Sequence, residues 1–469
     1  MSASVPTRLA IRTFSIGVLA FGAAADAQTC SPTQTQKLLA SMPQAEDRFG
    51  GSGSLQIEGD RLIVGARYDL ENGLETGAAY VFEFDGSQWN ETQRLVASDA
   101  DEGDRFGGWN ALSGDTLISG STGDSDFGES SGSAYVFQYD GSQWIQIQKL
   151  NASDEEEGDY FGRMIAMEGG TALIGAWGAD GEEPDEGAVY IFQFDGNQWV
   201  ETQILTASDG LQGDGFGSWM EIQGNTIAIG ASYGEGNEPS CGAVYIFEHD
   251  GNQWVEVQKL TAPDGETSDI FGHAVELSGD TMVVGAAYSN MVQGAAYVFR
   301  HDGTEWALEQ KLTASDGEAA DVFGYCDVSG DNIVIGARWD DDNGSHAGAV
   351  YHYRFDGTTW NEETKIVSND IEEGDSFGWS LALDGDTLLV GARNDDDFGN
   401  GTGSAYIFDL SCPITCPADV NNDGTLSPTD FTAWINAFNN NLTGCDQNTD
   451  GSCTPTDFTA WIANFNAGC

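Results

Sequence analysis

The sequence predicts an all-β protein, on three observations. The dipeptide Phe-Gly recurs at intervals of 52 to 57 residues, and each repeat carries four short apolar segments in the same order. The turns between these segments are rich in Gly and Asp, as in antiparallel hairpins. No stretch before residue 412 has a helical period. Seven four-stranded units of this length predict a β-propeller, a ring of radially packed sheets. The copies begin at Phe49, Phe106, Phe161, Phe216, Phe271, Phe323 and Phe377.

Composition excludes several classes of protein. The 469 residues include 76 acidic and 17 basic side chains, which gives a formal charge of −59. Because 40% of the residues are hydrophobic, there is enough material for a packed core, so intrinsic disorder is excluded for most of the chain. A field this negative repels phosphate backbones and anionic lipid surfaces, so we exclude nucleic acid as a partner.

The first 27 residues have the features of an export signal. Arg8 and Arg12 precede an apolar stretch from Phe14 to Ala25, and Ala25-Asp26-Ala27 fits a cleavage site between small residues. The apolar stretch is too short to cross a bilayer. We therefore expect residues 1–27 to be a signal peptide, with no membrane span, and the mature protein to be extracellular, either free or attached to the cell surface.

The propeller, residues 28–411, is expected to close through its N-terminus. The last repeat ends near Phe408 and lacks the Trp-x-x-x-Gln-x-Leu strand of the other repeats, whereas residues 34–39 resemble the end of that strand and precede the first Phe-Gly. We predict that this N-terminal strand completes blade seven. The closure places Cys30 near Cys412, so a disulfide between these two cysteines is predicted.

The residues that recur in blade after blade are interpreted as specifying the blade rather than a site. They include Phe-Gly, Gly-Ala, Tyr-x-Phe and the Trp residues, and an Asp that stands two positions before each Phe-Gly. We expect each Asp to accept backbone N–H bonds in the crossover between blades. The alternative is a ring of carboxylates that holds cations. The seven residues are Asp47, Asp104, Asp159, Asp214, Asp269, Asp321 and Asp375.

A candidate ligand site comes from residues that differ between repeats. The residue after Gly-Ala is arginine in blades one, six and seven, which are contiguous once the ring closes, and two of these arginines have an aromatic neighbour. Arginine beside aromatic rings is suited to a carboxylated or sugar ligand. The alternative, which we prefer, is local pairing with the acidic residues of each loop. The candidates are Arg67, Tyr68, Arg338, Trp339 and Arg393.

The Phe-Gly, Gly-Ala and Tyr-x-Phe pattern resembles the FG-GAP repeat, which builds seven-bladed propellers in integrin α-chain heads and in many secreted bacterial proteins. The resemblance extends over residues 33–410. Calcium-binding members have an Asp-rich loop between the Phe-Gly strand and the Gly-Ala strand. Here that connection is as short as Ser113-Gly114-Asp115. The resemblance therefore implies a propeller without integrin-like calcium sites.

Two loops near the C-terminus have oxygen-bearing side chains at the spacing of an EF-hand loop. Each has a Gly at position 6, where such a loop turns sharply, and an Asp at position 12 in place of the usual Glu. The sequence therefore predicts two Ca²⁺ sites. The candidate ligands are Asp419, Asn421, Asp423, Thr425, Ser427 and Asp430 in the first loop, and Asp446, Asn448, Asp450, Ser452, Thr454 and Asp457 in the second.

Each loop leads into a predicted amphipathic helix that starts with Pro428 or Pro455. Two loop-helix units without an entering helix resemble dockerin. The resemblance implies that residues 412–469 are a calcium-dependent module that attaches the protein to a cohesin-like or cell-surface partner. Its four cysteines, which resemble the cysteine-bearing dockerin variant, leave three possible pairings. They are Cys416, Cys445, Cys453 and Cys469.

Two classes of function remain. The first is a secreted, non-catalytic binding or display protein, whose propeller offers a surface to a glycan or protein ligand and whose C-terminal module attaches it. The alternative is an extracellular enzyme that processes a polysaccharide or glycan on the propeller face. None of the five His residues stands in a metal-ligand or Ser-His-Asp signature, and near-identical blades are typical of a scaffold. We therefore expect a binding protein without catalytic residues.

Overall fold

The computed structural model describes residues 32–411, apart from 52, 72 and 181–183, and in the C-terminal region residues 420, 428–440, 445 and 453–467. Residues 32–411 form seven four-stranded antiparallel sheets, which confirms the predicted seven-bladed propeller. Isolated bridges join neighbouring blades, and the bridge between Phe49 and Gly403 joins the last blade to the first. The predicted signal peptide, Cys30 and Cys412 lie outside the described residues.

The strands of the first four blades follow the chain in regular order. Strand β1 is Thr33–Leu38. Blade one contains β2 (Leu55–Glu58), β3 (Arg61–Ala66), a small hairpin of β4 (Leu70–Glu71) and β5 (Leu74–Glu75), β6 (Ala78–Phe84) and β7 (Trp89–Leu95). Blade two contains β8 (Phe106–Ser113), β9 (Thr116–Ser121), β10 (Ser133–Tyr139) and β11 (Trp144–Leu150). Blade three contains β12 (Met164–Glu168), β13 (Thr171–Ala176), β14 (Ala188–Phe194) and β15 (Trp199–Leu205). Blade four contains β16 (Phe216–Gln223), β17 (Thr226–Ala231), β18 (Ala243–His249) and β19 (Trp254–Leu260).

The remaining blades repeat this order, with one helical turn between strands. Blade five contains β20 (Phe271–Ser278), β21 (Thr281–Ala286), the four-residue helix α1 (Ser289–Val292), β22 (Ala295–His301) and β23 (Trp306–Leu312). Blade six contains β24 (Phe323–Ser329), β25 (Asn332–Ala337), β26 (Ala349–Phe355) and β27 (Trp360–Ile366). Blade seven contains β28 (Phe377–Asp384), β29 (Thr387–Ala392), β30 (Ser404–Asp409) and β1. Helix α1 was not predicted, because four residues are too few to produce a helical period.

Strand β1 takes the place of the missing fourth strand, as predicted. It pairs antiparallel with β30, with Gln36 opposite Ile407 and a register shift between Gln34 and Gln36. The fourth strand of blade two has the same irregularity, with Gln148 opposite Val136. Because register and bulge both coincide, the N-terminal strand is equivalent to the fourth strands of the other blades, and it closes the ring through backbone hydrogen bonds.

The Phe-Gly phenylalanines form the centre of each blade's core. Phe49 is fully buried, and its ring meets Tyr80 edge-on with 5.5 Å between ring centroids and Phe82 with 6.3 Å. The same arrangement recurs in blade seven, where Phe377 contacts Tyr406 and Phe408. The Phe-Gly and Tyr-x-Phe motifs therefore specify the packing of the blade, as expected.

The glycines of the two motifs let neighbouring blades approach closely. Gly107 of blade two has a φ of +82°, and a Cβ there would lie 2.1 Å from the Ala78 carbonyl oxygen of blade one. A Cβ on Gly65 of blade one would lie 1.8 Å from the Gly107 carbonyl oxygen. Any larger residue at either position would push the two blades apart.

The seven aspartates that precede Phe-Gly accept backbone N–H bonds, as expected. Asp104 Oδ2 accepts from the Asp101 N–H over 2.7 Å, and Asp214 Oδ2 accepts from the Leu211 N–H over 2.9 Å. Equivalent bonds occur in the other five blades. Each carboxylate therefore fixes a turn between blades. Among the described residues, no group of three or more His, Cys, Asp or Glu is arranged to hold a metal ion.

The described part of the C-terminal region contains the helices α2 (Pro428–Asn440) and α3 (Pro455–Ala467). Trp434 and Trp461 are buried between them, with ring centroids 6.4 Å apart. Cys445 and Cys453 form a disulfide. This bond is one of those that the three possible pairings allowed. The other two cysteines, Cys416 and Cys469, lie outside the described residues. Among the helices that the structure describes, none has the length and apolar character needed to cross a bilayer.

Candidate functional site

The mouth of the central channel is formed by two positions in the blades. The first is the residue that follows Gly-Ala at the end of the second strand. The second lies just after Phe-Gly in the first strand. The two positions lie near each other, because Phe377 pairs with Ala392 and Trp379 falls in the register irregularity between Phe377 and Ser380, where its ring contacts Arg393. The ring then gathers these positions from different blades around one axis.

Two of the predicted arginines share one aromatic partner. The guanidinium carbon of Arg393 lies 4.0 Å from the centre of the Trp379 ring, and that of Arg338 lies 4.7 Å from it. Arg338 also lies 4.8 Å from the Tyr325 ring and 5.4 Å from the Trp339 ring. Blades six and seven therefore join in a continuous series of cation–π contacts.

The third predicted arginine belongs to a second series of such contacts. Arg67 lies 4.8 Å from the Tyr68 ring and 6.0 Å from Trp109. Trp109 is also 5.6 Å from Arg163, which lies 4.1 Å from the Trp177 ring. We call Arg67, Arg163, Arg338 and Arg393 the arginine cluster. Its members come from blades one, three, six and seven.

Arg163 and the rings of Trp109, Tyr325 and Trp379 were not predicted as site residues. The sequence contains a signal for them, because each follows Phe-Gly within three positions, and these positions differ between repeats as strongly as those after Gly-Ala. What the sequence does not indicate is that the two variable positions lie side by side at the channel mouth.

The interpretation that these arginines pair with the acids of their own loops is wrong. Asp69 pairs with Arg94, Asp340 lies 2.7 Å from Lys365, and Asp395 lies 2.8 Å from Lys37. These partners belong to the fourth strands, and it is their side chains, not the arginines, that lie within ion-pair distance of the loop carboxylates. Among the described residues, every Lys and Arg forms an ion pair except five: Arg67, Arg105, Arg163, Arg338 and Arg393.

The arginine cluster is a concentration of uncompensated positive charge in a strongly acidic protein. Burial, together with repulsion from Arg67 and Arg48, lowers the pKa of the Arg393 guanidinium to about 10. Burial also lowers the pKa values of Arg67 and Arg163. His273, whose ring lies 4.8 Å from that of Tyr325, has its pKa lowered to about 3 by burial and by repulsion from Arg338 and Arg163. Its imidazole is therefore neutral at pH 7, and it adds no charge to the cluster.

Three carboxylates line the channel below this mouth. A cavity of about 210 Å³ is enclosed by the first strands of the blades and contains Glu221, Glu276 and Asp327. Glu276 Oε1 accepts a hydrogen bond from Trp219 Nε1 over 3.0 Å, and both oxygens of Asp327 accept backbone N–H groups, from Val328 and Leu383. Burial raises the pKa values of all three. Repulsion from Asp327 adds to the shift of Glu221 and Glu276, and repulsion from Asp384 adds to that of Asp327. At least two of them are therefore engaged in structural hydrogen bonds.

The predicted calcium ligands fall mostly outside the described residues, which include Asp430 of the first loop, in the first turn of α2, and Thr454 and Asp457 of the second loop. Asp457 is buried at the start of α3, and its Oδ2 accepts from the Thr454 backbone N–H over 2.7 Å and from the Thr454 hydroxyl over 3.1 Å. The donor set of both loops consists of carboxylate, amide and hydroxyl oxygens, which fits a hard cation such as Ca²⁺.

Comparison with known families supports the assignment of both regions. FG-GAP repeats match residues 32–82, 89–137, 144–192, 199–247, 254–299, 306–353 and 360–408. A dockerin type I domain matches residues 417–466. Domains of this type bind calcium, and they imply binding to cohesin. A comparison with curated protein sequences finds no match. The chain therefore belongs to the FG-GAP repeat family and carries a dockerin type I domain at its C-terminal end.

Proposed function

We propose that this is an exported, non-catalytic binding protein, in which the propeller presents a ligand surface and the dockerin domain attaches it to a cohesin partner in a calcium-dependent manner. The observation that carries the proposal is the combination of a dockerin domain with a propeller whose channel mouth has unpaired arginines. The predicted signal peptide at residues 1–27 supports export. Attachment through the dockerin domain would then hold the protein outside the cell, at a cell surface or in an extracellular complex.

The ligand surface of the propeller is proposed to include Arg67, Tyr68, Arg338, Trp339 and Arg393. Of these, Arg67 contacts Tyr68 and Arg338 contacts Trp339, and both arginines lack a carboxylate partner in the described part of the chain. A guanidinium that contacts aromatic rings but no carboxylate keeps its capacity to bind an anionic ligand.

The alternative, a glycan-processing enzyme, would have to use the carboxylates of the channel. Both oxygens of Asp327 are occupied, since they accept backbone N–H groups over 2.6 and 2.7 Å, and Glu276 is hydrogen-bonded to Trp219. These carboxylates are more simply explained as part of the packing between first strands. Absence of activity on a panel of soluble glycans, with no difference between the parent protein and Glu276→Gln, is the expected result.

The attachment is tested with the full chain and an immobilised type I cohesin domain. We expect capture in millimolar calcium and release in chelator, and loss of capture in the double variant Asp423→Ala and Asp450→Ala, which removes position 5 of both predicted loops. The matched control is Asp85→Ala together with Asp140→Ala, two exposed aspartates in propeller turns. Capture that is equally strong in chelator, or lost in the control, contradicts the calcium-dependent attachment.

A further inference from the structure

We propose that the arginine cluster at the channel mouth is a binding site for a compact oxyanion, a carboxylate or sulfate group. The inference rests on the proposed function, because it names the chemistry of the ligand that the propeller would bind. It adds Arg163 to the site and assigns the neighbouring aromatic rings the role of positioning the guanidinium groups.

The charge balance around the cluster differs from that of the rest of the propeller. In a chain with 76 acidic residues, the basic residues on the fourth strands each have one to three carboxylates within ion-pair distance, as Lys149 has with Asp99, Asp124 and Asp126. The four arginines of the cluster have none in the described residues. No carboxylate of the described residues therefore pairs with these four arginines, although acids dominate the rest of the surface.

Arg338 has buried donors without a partner. This side chain is 4% exposed, and its Nε and Nη1 atoms are buried without a hydrogen-bond partner. Nε of Arg393 is in the same state. A buried donor without a partner has lost its hydrogen bonds to water without replacement, and the cost is larger when the group is charged. The Trp379 and Tyr325 rings cover the faces of these guanidiniums and leave only their edges, where N–H groups point, for an acceptor.

The cations of the cluster converge from different sides of the ring. Arg163 of blade three and Arg338 of blade six both lie close enough to His273 to lower its pKa, and Arg67 and Arg393 repel each other. Cations from four blades thus surround the axis of the ring. A planar guanidinium binds carboxylate or sulfate oxygens through two parallel N–H bonds, whereas a neutral or cationic ligand would leave the repulsion between the arginines unrelieved.

The overall charge limits the size of the ligand. At physiological ionic strength charges are screened beyond about 8 Å, so an anion at the mouth experiences the arginines more than the distant acidic surface. A long polyanion would have to extend over that surface and would be repelled by it. The site therefore favours a free anion or a single acidic group on an otherwise neutral saccharide.

The test uses the full chain with sodium sulfate and sodium glucuronate as probes and glucose as the neutral control, by titration calorimetry at constant ionic strength. We expect saturable binding of at least one anion, no binding of glucose, and an affinity at least about tenfold lower in the double variant Arg338→Gln and Arg393→Gln. Arg300→Gln, which removes a paired arginine from the opposite end of a blade, is expected to bind as the parent does.

Binding of glucuronate alone identifies a carboxylated saccharide, and binding of sulfate identifies a sulfate group or free ion. If neither anion binds, or if the double variant binds as tightly as the parent, the inference is wrong. Arg67→Gln provides a second variant should the double variant fail to fold, which thermal melting reports. Cohesin capture of the same preparations separates the two proposals, because attachment can succeed while the oxyanion site fails.

Discussion

Gln36 and Trp89 exchange two hydrogen bonds that join the N-terminal strand to blade one. Gln36 Nε2 donates to the Trp89 carbonyl oxygen over 2.7 Å, and the Trp89 backbone N–H donates to Gln36 Oε1 over 2.8 Å. We call this reciprocal pair of bonds a clasp. Clasps also link Gln93 to Trp144 and four further pairs of blades. In blade six Thr364 stands at the glutamine position, so the described blades six and seven are joined without a clasp.

Replacing Gln36 by Leu is expected to weaken the closure of the ring. The substitution leaves a partly buried N–H and C=O of Trp89 without partners, which costs about 1–3 kcal/mol per group. We expect a lower free energy of unfolding in urea and faster release of the N-terminal strand by protease. Gln93→Leu is the matched control, since it removes the same bonds where the chain is continuous. An equal rate of N-terminal cleavage in both variants contradicts a special role of the first clasp.

Replacing Lys37 by Met is expected to destabilise the propeller strongly. Lys37 Nζ lies 2.8 Å from Asp395, which is 2% exposed, and also contacts Asp370 and Asp397. Removal of one partner from a buried ion pair costs about 3–5 kcal/mol. Lys259→Met removes a lysine whose partner, Asp209, is exposed, and should cost at most about 1 kcal/mol. Chemical denaturation of both variants measures the difference, and similar losses would contradict the stronger role of Lys37.

The channel carboxylates are expected to make stability fall as the pH rises. Burial, with repulsion from Asp327 and Glu168, raises the pKa of Glu221 from 4.5 to about 8. Between these values the folded protein keeps a proton that the unfolded chain has lost, so folding becomes less favourable with increasing pH. Glu221→Gln should therefore reduce the loss of stability between pH 5 and 8 and raise the melting temperature at pH 8. A steeper decline in the variant would show that the sign is wrong.

Replacing Arg338 by Met is expected to stabilise the protein in buffer without oxyanions. The guanidinium gains about 0.5–2 kcal/mol from each cation–π contact, but an unpaired buried ion costs several kcal/mol. Met keeps the apolar stem and removes the charge. Arg94→Met, which breaks the pairing with buried Asp69, should instead lower stability. Melting curves of the two variants are expected to shift in opposite directions. A loss in Arg338→Met as large as that in Arg94→Met contradicts the unpaired state of Arg338.

The two helices of the dockerin domain are expected to depend on their tryptophan pair. Trp461 is buried against Trp434 and Phe431, and its replacement by Ala should cost about 3–5 kcal/mol. We expect the melting step of this domain, and cohesin capture, to be lost while the melting step of the propeller is unchanged. Ile462→Ala is the matched control for melting, because this neighbouring side chain on α3 is 40% exposed. An equal loss of the melting step in both variants would contradict the role of the tryptophan pair.

Much of the fold could be predicted because it repeats. Phe-Gly recurs in every blade and Gly-Ala in six of the seven, and their spacing determines the number of sheets, the order of strands and the use of residues 33–38 to complete blade seven. The Asp before each Phe-Gly was assigned correctly, because its partner lies three residues away in the same turn. The clasp was missed, since Gln36 and Trp89 are separated by 53 residues and belong to different blades.

Patterns along the chain were sufficient to predict the seven blades, their closure and the dockerin-type tail, because each depends on short motifs or on a regular period. Which charges meet depends instead on the three-dimensional arrangement. Residues from opposite sides of the ring come together at its axis, and each loop carboxylate pairs with the nearest available cation in space. That competition left Arg67, Arg338 and Arg393 without acids, although their own loops carry Asp69, Asp340 and Asp395, and the ring placed them near Arg163.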